Sequence, residues 1–243
     1  MNAVITGANR GIGNAMLHAF AREEYDIWAC ARAHSVEFET ELEALSAQYG
    51  VRITPVYFDL ADENARKNGV KQILSEKRPV DVLINNAGVG HGGTLMTTSA
   101  EKLREVYEIN VVAQVQLMQL FSRAMIRQKS GCIINLCSVG GIEVGKGYIA
   151  YGSSKAAMVW LTKAAAKELG EFGIRVNGIA PGLTDTDMGH YKSEEEIQKV
   201  FDRSVIKRFG RPEEIAKGAV YLASADAAFI TGQILVIDGG RVI

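Results

Sequence analysis

The 243-residue chain has few cysteines, few prolines and no long apolar run, and each shortage removes a class of protein. Its three cysteines (Cys30, Cys132 and Cys137) are odd in number and widely placed, which suits neither a disulfide framework nor zinc-ligand spacing. They read as small core residues in a reducing compartment, and no metal site is expected. A catalytic thiol at Cys137 would need a histidine partner, and none is evident beside it. With only four prolines, no proline-rich linker divides the sequence. No run reaches the roughly 20 apolar residues that span a bilayer, so no membrane partner is expected. A net charge of −1 gives no chain-wide attraction for nucleic acid. Residues 1–6 lack a basic segment and lead straight into a glycine-rich turn, unlike a signal peptide, so a cytoplasmic location is expected. What is present, 47% hydrophobic and 23% charged residues, suits one large α/β domain over residues 1–243.

The most informative stretch runs from Ser138 to Lys155. It contains Ser138-Val139-Gly140-Gly141 and, one short loop later, Tyr151-Gly-Ser-Ser-Lys155. Four residues apart on a helix is about one turn, so Tyr151 and Lys155 share a face. An ammonium beside a phenol favours the phenolate, which makes tyrosine a usable proton donor and acceptor. The apolar run before Ser138, Cys132-Ile-Ile-Asn-Leu-Cys137, reads as a buried strand. Ser138 is then expected at a strand's carboxyl end, where open α/β sheets hold their ligands.

Taken in order, residues 2–6 predict a strand that opens onto Gly7-Ala8-Asn9-Arg10-Gly11-Ile12-Gly13, with a helix over 14–24. Glycines at that junction let the backbone turn tightly and approach a pyrophosphate, which the helix amino terminus then meets with unpaired N–H groups. The spacing Gly-x-x-x-Gly-x-Gly departs from G-x-G-x-x-G, but the mechanism is the same. A second strand, residues 26–31, ends at Ala31-Arg32, where a dinucleotide fold usually places an acid for the ribose hydroxyl. With no carboxylate there, Arg32, helped by Arg10, is expected to pair with a ribose 2′-phosphate, which implies NADP(H). Further strands are predicted over 51–57, 80–85, 132–137, 174–180 and 234–237. Helices are predicted over 35–49, 61–77, 99–128 and 150–172, with another starting at Pro212. This alternation predicts a doubly wound parallel sheet with helices on both faces.

Thr6-Gly-x-x-x-Gly-Ile-Gly13, Asp59, Asn85-Asn86-Ala87-Gly88, Asn110, Ser138, Tyr151-x-x-x-Lys155 and Pro181-Gly182 together resemble a short-chain dehydrogenase/reductase over nearly the whole chain. The resemblance implies a Rossmann fold in which Tyr151 is the acid/base and Ser138 hydrogen-bonds the substrate carbonyl. Lys155 would bind the nicotinamide ribose and lower the tyrosine pKa, and Asn110 would hold a water of the proton relay. Asp59 and Leu60 would meet the adenine, Asn86, Ala87 and Gly88 would line the cofactor, and Pro181, Gly182 and Thr184 would face its nicotinamide end. The helix over 150–172 is apolar nearly all round, so packing between subunits is expected, and the family often forms tetramers. The polar stretch from 189 to 205 is expected to be a mobile lid or a solvated helix-loop.

Within the family the chain is most similar to bacterial 3-oxoacyl-[acyl-carrier-protein] reductases, at Thr186-Asp-Met188 and over 208–240. That implies a carrier-linked carbonyl substrate and an acidic carrier protein as partner, with Lys129 at a basic docking position. Phe172 stands where an arginine is expected, and Val89-Gly-His-Gly-Gly-Thr94 is less polar than usual. Reduction of a small ketone, sugar or secondary metabolite therefore stays open, as does a non-catalytic NADP(H)-binding regulator.

Overall fold

A computed structural model describes residues 1–190 and 193–243; Tyr191 and Lys192, in the stretch expected to form a lid, lie outside the described residues. Seven parallel strands form one sheet: β1 Asn2–Thr6, β2 Asp26–Ala31, β3 Ile53–Tyr57, β4 Val82–Asn85, β5 Gly131–Leu136, β6 Ile174–Pro181 and β7 Ile234–Ile237. Their spatial order is β3-β2-β1-β4-β5-β6-β7, a doubly wound Rossmann arrangement whose direction of winding reverses between β1 and β4.

Strand residues alternate between two buried faces, which is why β1, β2 and β5 read as continuous apolar runs. Ala3, Ile5, Ile27, Ala29, Ile84 and Ile134 face one core with Phe20, Leu42 and Leu222. Val4, Trp28, Leu83, Ile133 and Val176 face the other with Ile73, Leu117 and Phe121. The first core is covered by helices α1 Gly11–Arg22 and α2 Val36–Tyr49, together with α8 Pro212–Ala223. The second is covered by α3 Glu63–Ser75, α5 Ala113–Gln128 and part of α6 Ile149–Leu169. The remaining helices are α4 Ala100–Tyr107 and α7 Glu194–Asp202.

Local sequence explains most helix ends. Ser35 accepts from Phe38 N to start α2, and Gly50 closes it with φ +68°. Asp62 accepts from Asn64 N and Ala65 N to start α3. Two expectations need correction. Helix α1 begins at Gly11 rather than Asn14: Gly11 enters it with φ +56°, and Ile12 and Gly13 already belong to its first turn. The helix expected over 99–128 is broken by a π-turn, Glu108–Val112, with Asn110 at its centre. Such a turn accommodates an extra residue, and here the side-chain amide of Gln114 donates to the carbonyl of Ile109 inside it.

Phe121, fully buried between α5 and the sheet, tests the second core. Phe121→Ala is expected to cost about 3–5 kcal/mol in urea unfolding. A loss under about 1 kcal/mol would mean that this core collapses around the deletion, contrary to its close packing.

Candidate active site

The carboxyl ends of β1 and β4 open the switch-point crevice, and the glycine turn lies there. Gly7 and Gly11 have φ +65° and +56°, values a side chain would strain. Gly13 permits contact of a different kind: a Cβ there would lie 2.0 Å from Gly7 O and 2.4 Å from Asn86 Nδ2. The Asn86 amide in turn donates to Thr6 O at 2.8 Å and Gly7 O at 3.2 Å, clamping the turn from the neighbouring strand. Thr6 Oγ1 donates to Ile84 O and accepts from the backbone N–H groups of Asn86 and Ala87, locking β1 to the end of β4.

Helix α1 starts without a side-chain cap and without an acid in its first turn. By contrast, α2, α3, α4 and α7 are capped by Ser35, Asp62, Ser99 and Ser193. Uncapped N–H groups at a helix amino terminus attract an anion, and no side chain at Gly11 or Gly13 blocks approach. The donor set therefore fits a dinucleotide pyrophosphate.

The remaining cofactor candidates sit around the same crevice. Asn9 and Arg10 are exposed on the turn, while Ile12 is half-buried. Arg32 is exposed just beyond the end of β2. Asp59 accepts from Ala61 N, which shapes the loop after β3, and Leu60 is buried behind it. Arg10 does not lean toward Arg32; it pairs with Asp187 at 3.0 Å, across the mouth of the crevice. Both partners are exposed, so the pair is worth at most about 1 kcal/mol and is readily exchanged. Thr184 is buried and donates to Gly182 O, and Gly182 packs against Asp238 too closely to carry a side chain.

The four catalytic candidates converge. Ser138, just beyond β5, accepts from Gly140 N at 3.1 Å. A Cβ on Gly140 would stand 3.5 Å from Ser138 Oγ and 3.7 Å from Tyr151 Cε1, so the serine and tyrosine flank this glycine. A Cβ on Gly88 would stand 3.0 Å from Asn110 Oδ1 and 3.5 Å from Lys155 Nζ, so these two flank the end of the Asn-Asn-Ala-Gly loop. Lys155 is buried, donates to Leu136 O at 2.6 Å, and holds its Nζ 5.9 Å from the centre of the Tyr151 ring. Burial pushes the Lys155 ammonium below the usual lysine range, with the Cys137 side chain acting the other way.

Asn110 differs from expectation in how its side chain is used. Its Oδ1 accepts from Val89 N, and its Nδ2 donates to Val89 O and Ser154 Oγ. The amide is thus a brace between the loop after β4 and helix α6. Ser154, whose hydroxyl also donates to Tyr151 O, was not singled out in the sequence, although it lies within the Tyr151-to-Lys155 motif. Thr6 stands in the quoted motif, but its locking role and the clamping role of Asn86 were likewise invisible, since their partners lie about 80 residues away in sequence. Cys137 is excluded as a nucleophile: it is buried, and that burial pushes its thiol up.

Two measurements check this geometry. Gly13→Ala should abolish dinucleotide binding in a fluorescence titration, because a methyl group would displace the Gly7 carbonyl. Retained affinity would show that the turn can yield. Burial raises the pKa of Cys30 and Cys137 and pushes Cys132 up to about 11. Ellman's reagent near pH 8 should therefore label no thiol within minutes in the native state and all three after unfolding.

The family model described as enoyl-(acyl carrier protein) reductase matches residues 7–241. A 3-oxoacyl-[acyl-carrier-protein] reductase from Staphylococcus epidermidis is 34% identical over 239 residues, 98% of each chain. Among solved structures, YwfH, an NADPH-dependent reductase involved in bacilysin biosynthesis, superposes with a TM-score of 0.92 at 27% identity, covering 99% of this chain and 98% of its own. A 7α-hydroxysteroid dehydrogenase complexed with NADH and a 7-oxo bile acid gives 0.91 at 32% identity, covering 98% and 93%. With its glycine turn, its Ser138, Tyr151 and Lys155 cluster and this full-length similarity, the chain belongs to the short-chain dehydrogenase/reductase family.

Proposed function

We propose that the protein is an NADP(H)-dependent oxidoreductase, one domain over residues 1–243, that reduces the ketone of a 3-oxoacyl thioester. The observation that carries the reaction class is the convergence of Ser138 and Tyr151 on Gly140, and of Asn110 and Lys155 on Gly88. The similarity to 3-oxoacyl-[acyl-carrier-protein] reductases supports the substrate class. The bound nicotinamide supplies the hydride.

The protein's own groups divide the remaining work. Ser138 Oγ and the Tyr151 hydroxyl donate to the carbonyl oxygen as negative charge develops on it, and Tyr151 gives up its proton to make the alcohol. Lys155 holds the nicotinamide ribose and places positive charge beside the tyrosine. Asn110 supports reprotonation of that site by holding a water of the proton relay, with its side-chain amide engaged by Val89 and Ser154. Gly7, Asn9, Gly11, Ile12 and Gly13 receive the pyrophosphate, and Asp59 and Leu60 meet the adenine. Asn86 fixes the glycine turn, while Ala87, Gly88, Pro181, Gly182 and Thr184 line the path to the nicotinamide. Arg32 takes the 2′-phosphate, joined by Arg10 once that residue releases Asp187.

Helix α6 supports an oligomer. Trp160 and Ile149 are exposed by 69% and 42% on a helix whose opposite side is core, which suits burial between subunits of a homotetramer. Lys129, in a left-handed conformation at the end of α5, marks the docking position for an acidic carrier protein. Phe172 is 38% exposed at the other expected docking position and removes a charge there, which favours reduction of a small ketone as the second reading. The free thiols and the absence, among the described residues, of a helix long and apolar enough to cross a membrane support a cytoplasmic enzyme.

The deciding assay follows NADPH oxidation with an acetoacetyl thioester, with NADH in parallel. Rapid turnover is expected with NADPH; none, with NADPH still bound, would move the assignment to small ketones. Tyr151→Phe should lower kcat by about 10²–10⁴-fold while leaving NADPH affinity intact, and unchanged turnover would remove the tyrosine from the chemistry. Arg32→Ala should weaken NADPH binding by about tenfold or more and leave NADH binding unchanged. Equal losses for both cofactors would overturn the role of Arg32.

A further inference from the structure

Arg66 is the one arginine with almost no solvent exposure among the described residues, at 1%, and it lies outside every group assigned above. Its guanidinium reaches three elements at once. It donates to the carbonyl of Leu60, in the loop placed at the adenine, and to Gln116 Oε1 on α5 at 2.6 Å. It also donates to Glu108 Oε1 at 2.8 Å, and Glu108 is the first residue of the π-turn that carries Asn110. Burying a guanidinium opposite a carboxylate is costly in desolvation and gives little net stability, so the fold by itself does not call for an ion here. A planar fork with several fixed donors is suited to holding three acceptors in one geometry.

We propose that Arg66 is a positioning residue that ties the adenine-side loop to the Asn110 π-turn, so that seating of the cofactor and placement of the relay are set together. The connection is continuous: Leu60 carbonyl, Arg66, Glu108, the π-turn, Asn110, then Ser154 and the backbone of Tyr151. A π-turn has a competing regular helical form, and the Arg66–Glu108 pair holds its first residue in place. Loss of the pair lets the turn relax, which moves Asn110 relative to Val89 and Ser154. Removal of Arg66 itself also frees the Leu60 carbonyl, so the adenine loop loses its anchor. The proposal rests on the reading of Asn110 as the relay residue and of Leu60 as part of the adenine subsite.

The test uses the full-length protein and the variants Arg66→Met, Glu108→Gln and Asn110→Ala, with the Arg66→Met/Asn110→Ala double variant. Three quantities are measured: NADPH affinity by fluorescence, kcat and KM, and urea stability. Arg66→Met is expected to lower kcat about tenfold at unchanged substrate KM and to weaken NADPH severalfold, whereas Glu108→Gln, which leaves the Arg66 bond to Leu60 O in place, is expected to lower kcat severalfold with NADPH affinity nearly unchanged. In the Asn110→Ala background, Arg66→Met should add little further loss of kcat, because both changes act on one unit. Loss of stability with kcat and NADPH affinity both within twofold of wild type would make Arg66 merely structural and overturn the proposal. Losses that simply multiply in the double variant would overturn it too. Should Arg66→Met not fold, the kcat of Glu108→Gln decides the π-turn half of the proposal, since its side chain is 37% exposed and its replacement keeps the shape; unchanged kcat there overturns it. If the wild type reduces no carbonyl offered, the proposed function fails, while NADPH affinity still reads the link from Arg66 to the adenine loop.

Discussion

Everything at the cofactor crevice depends on how closely helix α1 approaches the end of β1. Gly13 lies against the carbonyl of Gly7 with no volume for even a methyl group, and the Asn86 amide closes the same space from the side. That contact aims an uncapped helix terminus into the crevice. A larger residue would tilt α1 and disturb the core it shares with α8 through Phe20, Ile215 and Leu222. One steric constraint thus governs both anion recognition and packing on that face of the sheet.

The fold was legible because each element carries its own local signal. Apolar runs gave the central strands, and Ser35 and Gly50 bracket the helix read over 35–49. The Ser138, Tyr151 and Lys155 group was legible because its spacing is short and its chemistry specific. The π-turn was not: Glu108-Ile-Asn-Val-Val112 has no helix breaker, and the turn owes its form to partners on α3, α6 and the loop after β4. Arg66 was hidden for the same reason, since in sequence it looks like one more solvated charge on an amphipathic helix. Arg10 was legible as a cation in the turn, but its Asp187 partner is 177 residues away.

The groups proposed to be catalytic are embedded in buried polar contacts. Asn85 donates to Asn135, which donates to Thr162 on α6, beneath the residues that face the crevice. Lys155 spends one proton on Leu136 O, and Asn110 spends its amide on its neighbours. Such groups tolerate few positions, because a buried donor or acceptor without a partner is costly. The side chains proposed to react therefore sit on a lattice of fixed donors, an arrangement that needs little reorganisation to meet a developing charge.

The Thr6 hydroxyl has a consequence for how the chain is made. Its partners are Ile84, Asn86 and Ala87, so β1 and the glycine turn stay unfinished until some 80 further residues have been synthesised. A parallel sheet that inserts β4 beside β1 delays its central pairing in this way and closes many non-local contacts late. During that interval the nascent amino-terminal third exposes apolar strands β1 and β2 with no cofactor site to stabilise them. Ligand-assisted folding can begin only once β4 has emerged from the ribosome, so the first third of the chain must wait unliganded until then.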